Sequence, residues 1–513
     1  MGRDTSLSSV KAYFIPVKIE PYQVESFQID LEKAGGEACI EQADANIILT
    51  ALTSSSRIKR HIQNHQVPVV KIDWLKECLE KHAKIPIDPY QIELSHTPNT
   101  SSVVEEYEGH DQQTILPQLE RCNEVLNRRY DNMPPDPMPS FDDDNDDDID
   151  NGSTKKDTDG LAPDFINTKY ECMRNTPLKA RHNQKLVFLL RLLERQRLLN
   201  MQDKNALSYR HALAAIKAYP RKIRSVDEVK LITGIGKKIS DLIQTYLETG
   251  TIPDAENLLG DTQFRTLTLF NKVFGVGPLT ANLWYDKGYR SLQEVLDQAK
   301  LAKAVRLGIQ LLPDFEQPMN REDVKELIDI IEKEIKNVDS HAFATPVGGY
   351  RRGKEENGDL DIIIATHHLQ HGTDQFLQKI VSHLSDKGFI KHVLLISDKG
   401  QTSIGNHYTS SGADMEKLDT CFTAFLQPSR NILRQVDFIV PSMEEYPCAV
   451  LGWSGSQQFV RSHRDYAKKE RGLSVKSTGI YQYSPRKRLK VDSEEHAFEL
   501  MGIPWVDPVM RNC

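Results

Sequence analysis

Residues 142–150 read DDDNDDDID, seven aspartates in nine positions. Like charges at that density repel one another and cannot be buried, so no core can include them. The chain must therefore fold as separate parts on either side of the run. Its surroundings share the same character: residues 91–165 hold 5 basic and 19 acidic side chains together with the stretch MPPDPMP. A disordered acidic linker over residues 93–165 is expected, with metal binding by the aspartates the lesser reading. Residues 1–90 carry 11 basic and 12 acidic groups, and residues 166–513 carry 49 and 42. The net charge of −8 therefore belongs to the tether, and the larger part beyond it is mildly basic. An acidic total does not exclude nucleic acid as a partner.

The seven cysteines are widely spaced and form no CxxC pair. That pattern suits a reducing compartment, cytosol or nucleus, without a disulfide framework or structural zinc. No apolar run approaches a membrane span and the N-terminus has no signal-peptide pattern, so no membrane partner is expected.

Before the tether, residues 10–90 read as one small α/β domain. VKAYFIPV and ANIILTAL suit strands, and SFQIDLEKAGG suits a helix ended by Gly35 and Gly36. VPVVKIDWLKECLEK suits a strand running into a helix with Trp74 and Cys78 on one face. Arg57, Lys59 and Arg60 read as a solvated face rather than a binding edge. After the tether the pattern is helical to about residue 340, β-rich to about 450, and mixed to the end.

Two short segments in the helical region repeat one design. LITGIGKKI (231–239) and VFGVGPLTA (273–281) each place two glycines, Gly234 and Gly236, then Gly275 and Gly277, in a turn ahead of a helix. Glycine permits the tight turn, and the free N–H groups of the helix start can face a phosphate. Lys237 and Lys238 add charge to the first copy. This is the logic of a helix-hairpin-helix, which grips the DNA backbone without reading sequence.

PVGGYRRGKEENGDLDIIIA (346–365) carries the catalytic signal. Asp359 and Asp361, two apart in a strand-like run, point to one side. Such a pair is costly unless a cation joins it, and hard carboxylate oxygens suit Mg²⁺. Gly348 and Gly349 leave backbone N–H groups open, and Arg351 or Arg352 can pair with phosphate. Asp437 stands alone among apolar residues in RQVDFIVP, and burial would force it to share the same cations. The chemistry implied is in-line phosphoryl transfer with two metal ions.

GGYRRGK, the GDLD pair and VDF, followed by GWSGSQQFVRSHRDYA, resemble the family X DNA polymerases over roughly residues 166–513. YECMRNTPL (170–178) is similar to the entry into the core of polymerases lambda and mu and terminal transferase. Residues 10–90 are similar to a BRCT domain. The whole order resembles the fungal, polymerase IV type branch of the family. The resemblance implies a multidomain α/β and α+β chain. In it, a BRCT domain (1–92) and the linker precede a lyase-like helical domain with a helix-hairpin-helix (166–250). Fingers with a second hairpin (251–312), a nucleotidyltransferase palm with a mixed β-sheet (313–445) and a thumb (446–513) follow.

By the same resemblance Asp359, Asp361 and Asp437 hold two Mg²⁺ or Mn²⁺ ions. Gly348, Gly349, Arg352, Gly358, Gly452, Trp453, Gly455 and Ser456 surround the incoming nucleotide. Gly234, Gly236, Lys237, Lys238, Gly275, Gly277, Arg461 and Arg464 contact DNA. Asn271, Val273 and Val276 would hold Na⁺ or K⁺ through backbone groups. A nuclear, monomeric polymerase is implied. It would fill short gaps in broken or gapped DNA during non-homologous end joining, using dNTP and also rNTP, with the BRCT domain docking on Ku and the end-joining ligase complex.

Departures from the family pattern refine the expectation. Leu242 stands where some relatives carry an imine-forming lysine, so no deoxyribose-phosphate lyase is expected. Gly452 and Trp453 replace a Tyr-Phe pair and should weaken discrimination against ribose. Residues 398–417 form a polar insert where relatives that tolerate broken templates carry a loop. Gly358 replaces a histidine found in mu and terminal transferase, which argues against robust template-free addition. Val460 replaces a polar residue near the nascent pair. His367 and His368 read as a solvated turn, and SPRKRLK (484–490) as a thumb hairpin or a nuclear-import signal. A base-excision gap filler and a non-catalytic end-joining scaffold stand as alternatives.

Overall fold

The computed structural model describes residues 6–15, 21–39, 42–52, 67–92, 160–368, 375–397, 418–485 and 487–513, with isolated positions 58, 62, 138–139 and 141. The acidic run, Arg57, Lys59, Arg60 and residues 398–417 lie outside the described residues. The chain divides into two compact units, Met1–Tyr107 and Glu108–Cys513. No described helix is long and apolar enough to cross a membrane.

In the first unit β1 (Lys11–Ile15), α1 (Pro21–Lys33), β2 (Glu37–Ala38), β3 (Ile47–Thr50), β4 (Val69–Lys71) and α2 (Ile72–Lys81) follow in order. The strands form a parallel sheet in the order β2-β1-β3-β4. Trp74 and Cys78, one turn apart on α2, are both fully buried against Phe14, Leu49 and Val70. The Trp74 indole N–H donates to the Ile85 carbonyl at 2.9 Å, satisfying its one polar group inside the core. Gly35 takes φ 88° where α1 stops. A Cβ on Gly36 would collide with the Leu31 side chain, so the glycine pair serves both the cap and the packing.

Among the described residues the second unit begins with nine helices: α3 (Gln184–Leu199), α4 (Asp203–Ala218), α5 (Val226–Leu231), α6 (Lys237–Thr249), α7 (Pro253–Gly260), α8 (Thr262–Phe270), α9 (Pro278–Asp286), α10 (Leu292–Gln298) and α11 (Lys303–Phe315). They share one core containing Leu186, Leu190, Tyr219, Ile243, Phe270 and Trp284. Ser291 caps α10 in a reciprocal capping box with Glu294.

A sheet-based layer follows: α12 (Arg321–Val338), β5 (Ala342–Pro346), α13 (Gly348–Arg351), β6 (Asp359–Thr366), α14 (Phe376–Asp386), β7 (Ile390–Ser397), β8 (Asp419–Gln427) and β9 (Ile432–Val440). The sheet order is β5-β6-β9-β8-β7; β6 and β9 run parallel and the other neighbours antiparallel. Alternation assigns the faces of the two central strands. Leu360, Ile362, Ile364, Val436, Phe438 and Val440 pack under α12 and α14 with Leu327, Ile331, Leu377 and Ile380. Ile363 and Ile439 lie on the opposite face with Val347, Leu418, Ala449 and Val450. The aspartates at odd positions therefore share this second face.

The last part holds α15 (Tyr446–Ser454), α16 (Gln457–Arg471), β10 (Leu473–Lys476), β11 (Gly479–Gln482), β12 (Lys487–Leu489) and α17 (Glu494–Met501). The basic stretch 484–490 supplies β12, which pairs with β11, so it is in part folded surface. Tyr170 and Cys172, about three hundred residues earlier in sequence, belong to this core alongside Leu451, Phe459 and Phe498. Thr176 pairs with Arg511, and the Cys172 N–H donates to Ser462 Oγ at 3.1 Å.

Candidate active site

Strand register assembles the acidic cluster. Asp361 lies directly across from Asp437 in the parallel β6–β9 pair, and Asp359 lies across from Gln435. Oxygens of Asp359, Asp361 and Asp437 all fall within 4.8 Å of one another. Asp437 is buried at 6% exposure, while Asp359 opens to solvent. Such crowding disfavours the charged forms. Burial, and then the charge of Asp359, push the Asp361 carboxyl up to about 7, although Arg352 and Lys354 pull the other way. Burial holds Asp437 well above the usual carboxylate range, reinforced by the charges of Asp361 and Asp359. The Gln435 amide donates to both Asp437 oxygens at 3.2 and 3.3 Å and opposes that rise. Three hard oxygen donors that repel one another and are set at one mouth fit divalent cations such as Mg²⁺ or Mn²⁺.

The turn before β6 is built tightly against this cluster. Gly348 has φ 57°, and a Cβ there would collide with Asp361 Oδ2. A Cβ on Gly349 would lie 2.8 Å from Asn357 Oδ1. Gly348 is thus required by its backbone and by close approach, Gly349 sits tightly against two side chains, and the first turn of α13 leaves N–H groups without an intrahelical acceptor. Gly358 has open space where a side chain would be.

The two arginines separate. Arg351 is withdrawn as a phosphate candidate because its guanidinium forks onto Glu494, at 3.1 and 2.7 Å. Glu494 also accepts from Arg511 at 2.6 Å. Arg352 faces the acidic cluster and feels Asp361 and Asp359. Its Nε donates to Asn512 Oδ1 at 3.1 Å and its Nη1 to the Ser454 and Gly455 carbonyls at 3.3 Å each.

The residues around α15 take more specific roles than sequence alone assigns them. A Cβ on Gly452 would collide with Ser477 Oγ, so the volume saved there is taken by Ser477 rather than left open. Trp453 packs beside the Val347–Ile363–Ile439 cluster, on the face that carries the aspartates. Gly455 lies so close to Phe459 that a Cβ would come within 2.7 Å of its ring. Ser456 caps α16, accepting from the Phe459 N–H, and its hydroxyl reaches the Cys513 carbonyl at 3.2 Å. Val460 is buried, with its Cγ2 against Gly455. On α16, burial lowers the pKa of Arg461, and Arg464 Nη2 lies 3.5 Å from Ser477 Oγ.

Both glycine turns have the expected geometry. Gly234 has φ 103° and Gly275 φ 83°, with Gly236 and Gly277 as the N-caps of α6 and α9. Lys237 and Lys238 are exposed at the start of α6, and Leu242 packs partly into the helical core. In the second turn, Asn271 Nδ2 donates to the Val276 carbonyl at 2.7 Å and the Val276 N–H donates to the Val273 carbonyl at 3.0 Å. Each carbonyl retains a second lone pair.

His367 and His368 sit in an exposed turn at the end of β6 remote from Asp359, and so do not approach the acidic cluster. Sequence reasoning missed Gln435, Ser477, Asn512 and Lys354. It also missed Lys217 on α4, which donates to the Asn512 carbonyl at 2.6 Å. Burial and the nearby Arg191, Arg352 and Lys354 lower the Lys217 ammonium to about 8. Gln435 had a signal, since it is two residues from Asp437 on one strand face. Lys354 also lies close by, five residues before Asp359 inside the GGYRRGK segment, whereas Ser477, Asn512 and Lys217 come from distant sequence and had none.

Four domain families match in chain order: a helix-hairpin-helix domain over residues 181–252, the fingers domain of DNA polymerase lambda over 268–316, the DNA polymerase beta palm over 318–442 and the DNA polymerase beta thumb over 449–512. DNA polymerase lambda of Arabidopsis thaliana is 30% identical over 61% of this chain and 58% of its own length. The DNA-directed DNA/RNA polymerase mu of Homo sapiens is 28% identical over 69% of this chain and 73% of its own. The DNA polymerase type-X family protein pol4 of Schizosaccharomyces pombe is 27% identical over 99% of both chains.

Proposed function

Because the chain belongs to the family X DNA polymerases, we propose that it extends a primer 3′-hydroxyl across short gaps during repair of broken DNA by non-homologous end joining. The convergence of Asp359, Asp361 and Asp437 on one sheet face carries this reading. Two Mg²⁺ or Mn²⁺ ions, when bound, would lower the pKa of the primer hydroxyl and neutralise the triphosphate. Asp359, Asp361 and Asp437 would hold those ions, the start of α13 with Arg352 would receive phosphate oxygens, and the two glycine turns would hold the DNA backbone. The 3′-hydroxyl gives up its proton to solvent, its oxygen bonds to the α-phosphorus, and the bond from that phosphorus to the leaving pyrophosphate breaks.

Primer extension on gapped DNA, mismatched ends and single-stranded primer tests the reading. Asp437→Ala should abolish synthesis on all three and retain DNA binding. Extension by this variant would exclude the assigned site.

The finer assignments rest on particular residues. Leu242 cannot form an imine, so borohydride should trap no adduct on a 5′-deoxyribose-phosphate end; an adduct at Lys237 or Lys238 would reverse this. The likeness to polymerase mu supports tolerance of rNTP as well as dNTP, while Ser477 occupies the volume beside Gly452. A dNTP preference above about a thousandfold, about 4 kcal/mol, would refute that. Deleting residues 398–417 should spare gap filling and impair synthesis across non-complementary ends. A nuclear site of action and a BRCT assignment for the first unit, docking on Ku and the ligase complex, predict a separable defect. Removing residues 1–92 should leave activity on a preformed gap intact and weaken recruitment to Ku-bound ends.

A further inference from the structure

A second cluster of metal-type ligands lies at the opposite end of the catalytic strand. Asp339 follows α12, His341 precedes β5, and His368 follows β6. Because β5 and β6 run antiparallel, with Ala342 opposite Thr366, the register brings the two histidines together. Their rings lie 4.2 Å apart. Asp339 faces both: its Oδ1 is 3.7 Å from His341 Nδ1 and its Oδ2 is 3.1 Å from His368 Nδ1. Donor atoms of all three fall within 4.8 Å of one another. Asp359 opens β6 and Thr366 ends it seven residues later, roughly 23 Å away at the rise of a β-strand.

The carboxylate is held in place by the fold. Oδ1 accepts from the His341 N–H at 2.9 Å and Oδ2 from Thr366 Oγ1 at 2.8 Å. Its side chain is 14% exposed, while both imidazoles are 58% exposed and open to solvent. Ser340 Oγ also lies 3.1 Å from His341 Nδ1. Around a tetrahedral ion with bonds of about 2.0–2.1 Å, neighbouring ligand atoms stand about 3.3 Å apart. The 3.1 Å from His368 Nδ1 to Asp339 Oδ2 stands near that value, and His341 Nδ1 lies 3.7 Å from the other oxygen of the same carboxylate. Outer hydrogen bonds that orient a ligating carboxylate are a common accompaniment of metal sites.

We propose that Asp339, His341 and His368 bind a divalent transition-metal ion of the zinc type, with water completing the shell. Two imidazoles and one carboxylate favour such an ion over Mg²⁺, which prefers oxygen ligands and stays with the aspartate cluster. The ion ties the end of α12 and the start of the edge strand β5 to the end of β6. It is a staple for the palm edge and takes no part in phosphoryl transfer.

Cobalt(II) titration of the chelator-stripped full chain tests this, because tetrahedral Co²⁺ gives a visible absorption far more intense than that of octahedral carboxylate sites. Wild type should show the band at micromolar Co²⁺, and Zn²⁺ should displace it. Asp437→Ala should retain the band. His341→Gln and His368→Gln should each lose it while keeping Mg²⁺-dependent primer extension, which shows that they fold. Thr366→Val should weaken binding about tenfold by freeing the carboxylate. No band in wild type, or a band unchanged in both histidine variants, overturns the proposal.

Discussion

Replacing Asp437 by Asn should make the metal-free protein more stable while destroying its activity. The side chain keeps its volume, so the change removes one charge from three carboxylates whose oxygens lie within 4.8 Å. Two unit charges at that distance repel by about 1 kcal/mol in a water-like medium and about 3.5 kcal/mol at an effective dielectric of 20. The Asp361 carboxyl at about 7 lies about three pKa units above its unfolded value, a nominal cost of about 4 kcal/mol at neutral pH across the cluster. A gain of about 2 kcal/mol for Asp437→Asn lies within these bounds and corresponds to a rise of several degrees in Tm.

The pH dependence has a definite sign. Asp361 and Asp437 have folded pKa values above their unfolded ones, so the native state binds more protons between about pH 4 and 7. Stability is greatest at the acid end of that window and falls as pH rises through it. Calorimetry in chelator from about pH 5 to about pH 8 should show wild type losing more stability than the variant. In excess Mg²⁺ the order should reverse, since an ion at a hundredfold its Kd stabilises wild type by about 2.7 kcal/mol. A variant that melts at or below wild type in chelator, or gains equally from Mg²⁺, would refute the reasoning.

Three further outcomes are expected. Lys237→Ala with Lys238→Ala should weaken DNA binding equally across sequences and reduce the slope of log affinity against log salt by about 0.9 for each phosphate no longer neutralised, measured by fluorescence anisotropy. Glu494→Gln should destabilise the polymerase unit by about 3–5 kcal/mol by leaving the guanidiniums of Arg351 and Arg511 without their carboxylate, read by denaturant unfolding. Gly452→Ala should cost about 1–3 kcal/mol through overpacking against Ser477, and adding Ser477→Gly should recover much of it in a double-mutant cycle.

The catalytic centre was legible because its information is local. Asp359 and Asp361 alternate with buried Leu360 and Ile362, and Asp437 alternates with Val436 and Phe438, so the period of a strand alone puts the acids on one face. The glycine turns were legible for the same reason, each lying within nine residues. The residues alone left Arg351 and Arg352 open, because the choice is made by Glu494, more than a hundred positions away, and the family resemblance was what singled out Arg352. Gly452 suggests space for a sugar in the sequence, but Ser477 fills it. The meeting of Asp339, His341 and His368 depends on the register of two antiparallel strands, which periodicity does not specify.

The pairing of Thr176 with Arg511 has a consequence for how the molecule is made. A ribosome delivers Tyr170 and Cys172 early and Phe459 and Phe498 late, yet all four belong to one core. The thumb therefore cannot mature on its own as it emerges. It must capture a segment synthesised about three hundred residues before, and closing a loop of that length has an entropic cost that grows only as the logarithm of its size. Docking of this strap joins the start of the polymerase core to the thumb, and Glu171 of the same strap also meets His211 of the helical layer. A break anywhere near residues 170–176 would then act as a thumb mutation, although it lies at the far end of that unit's sequence.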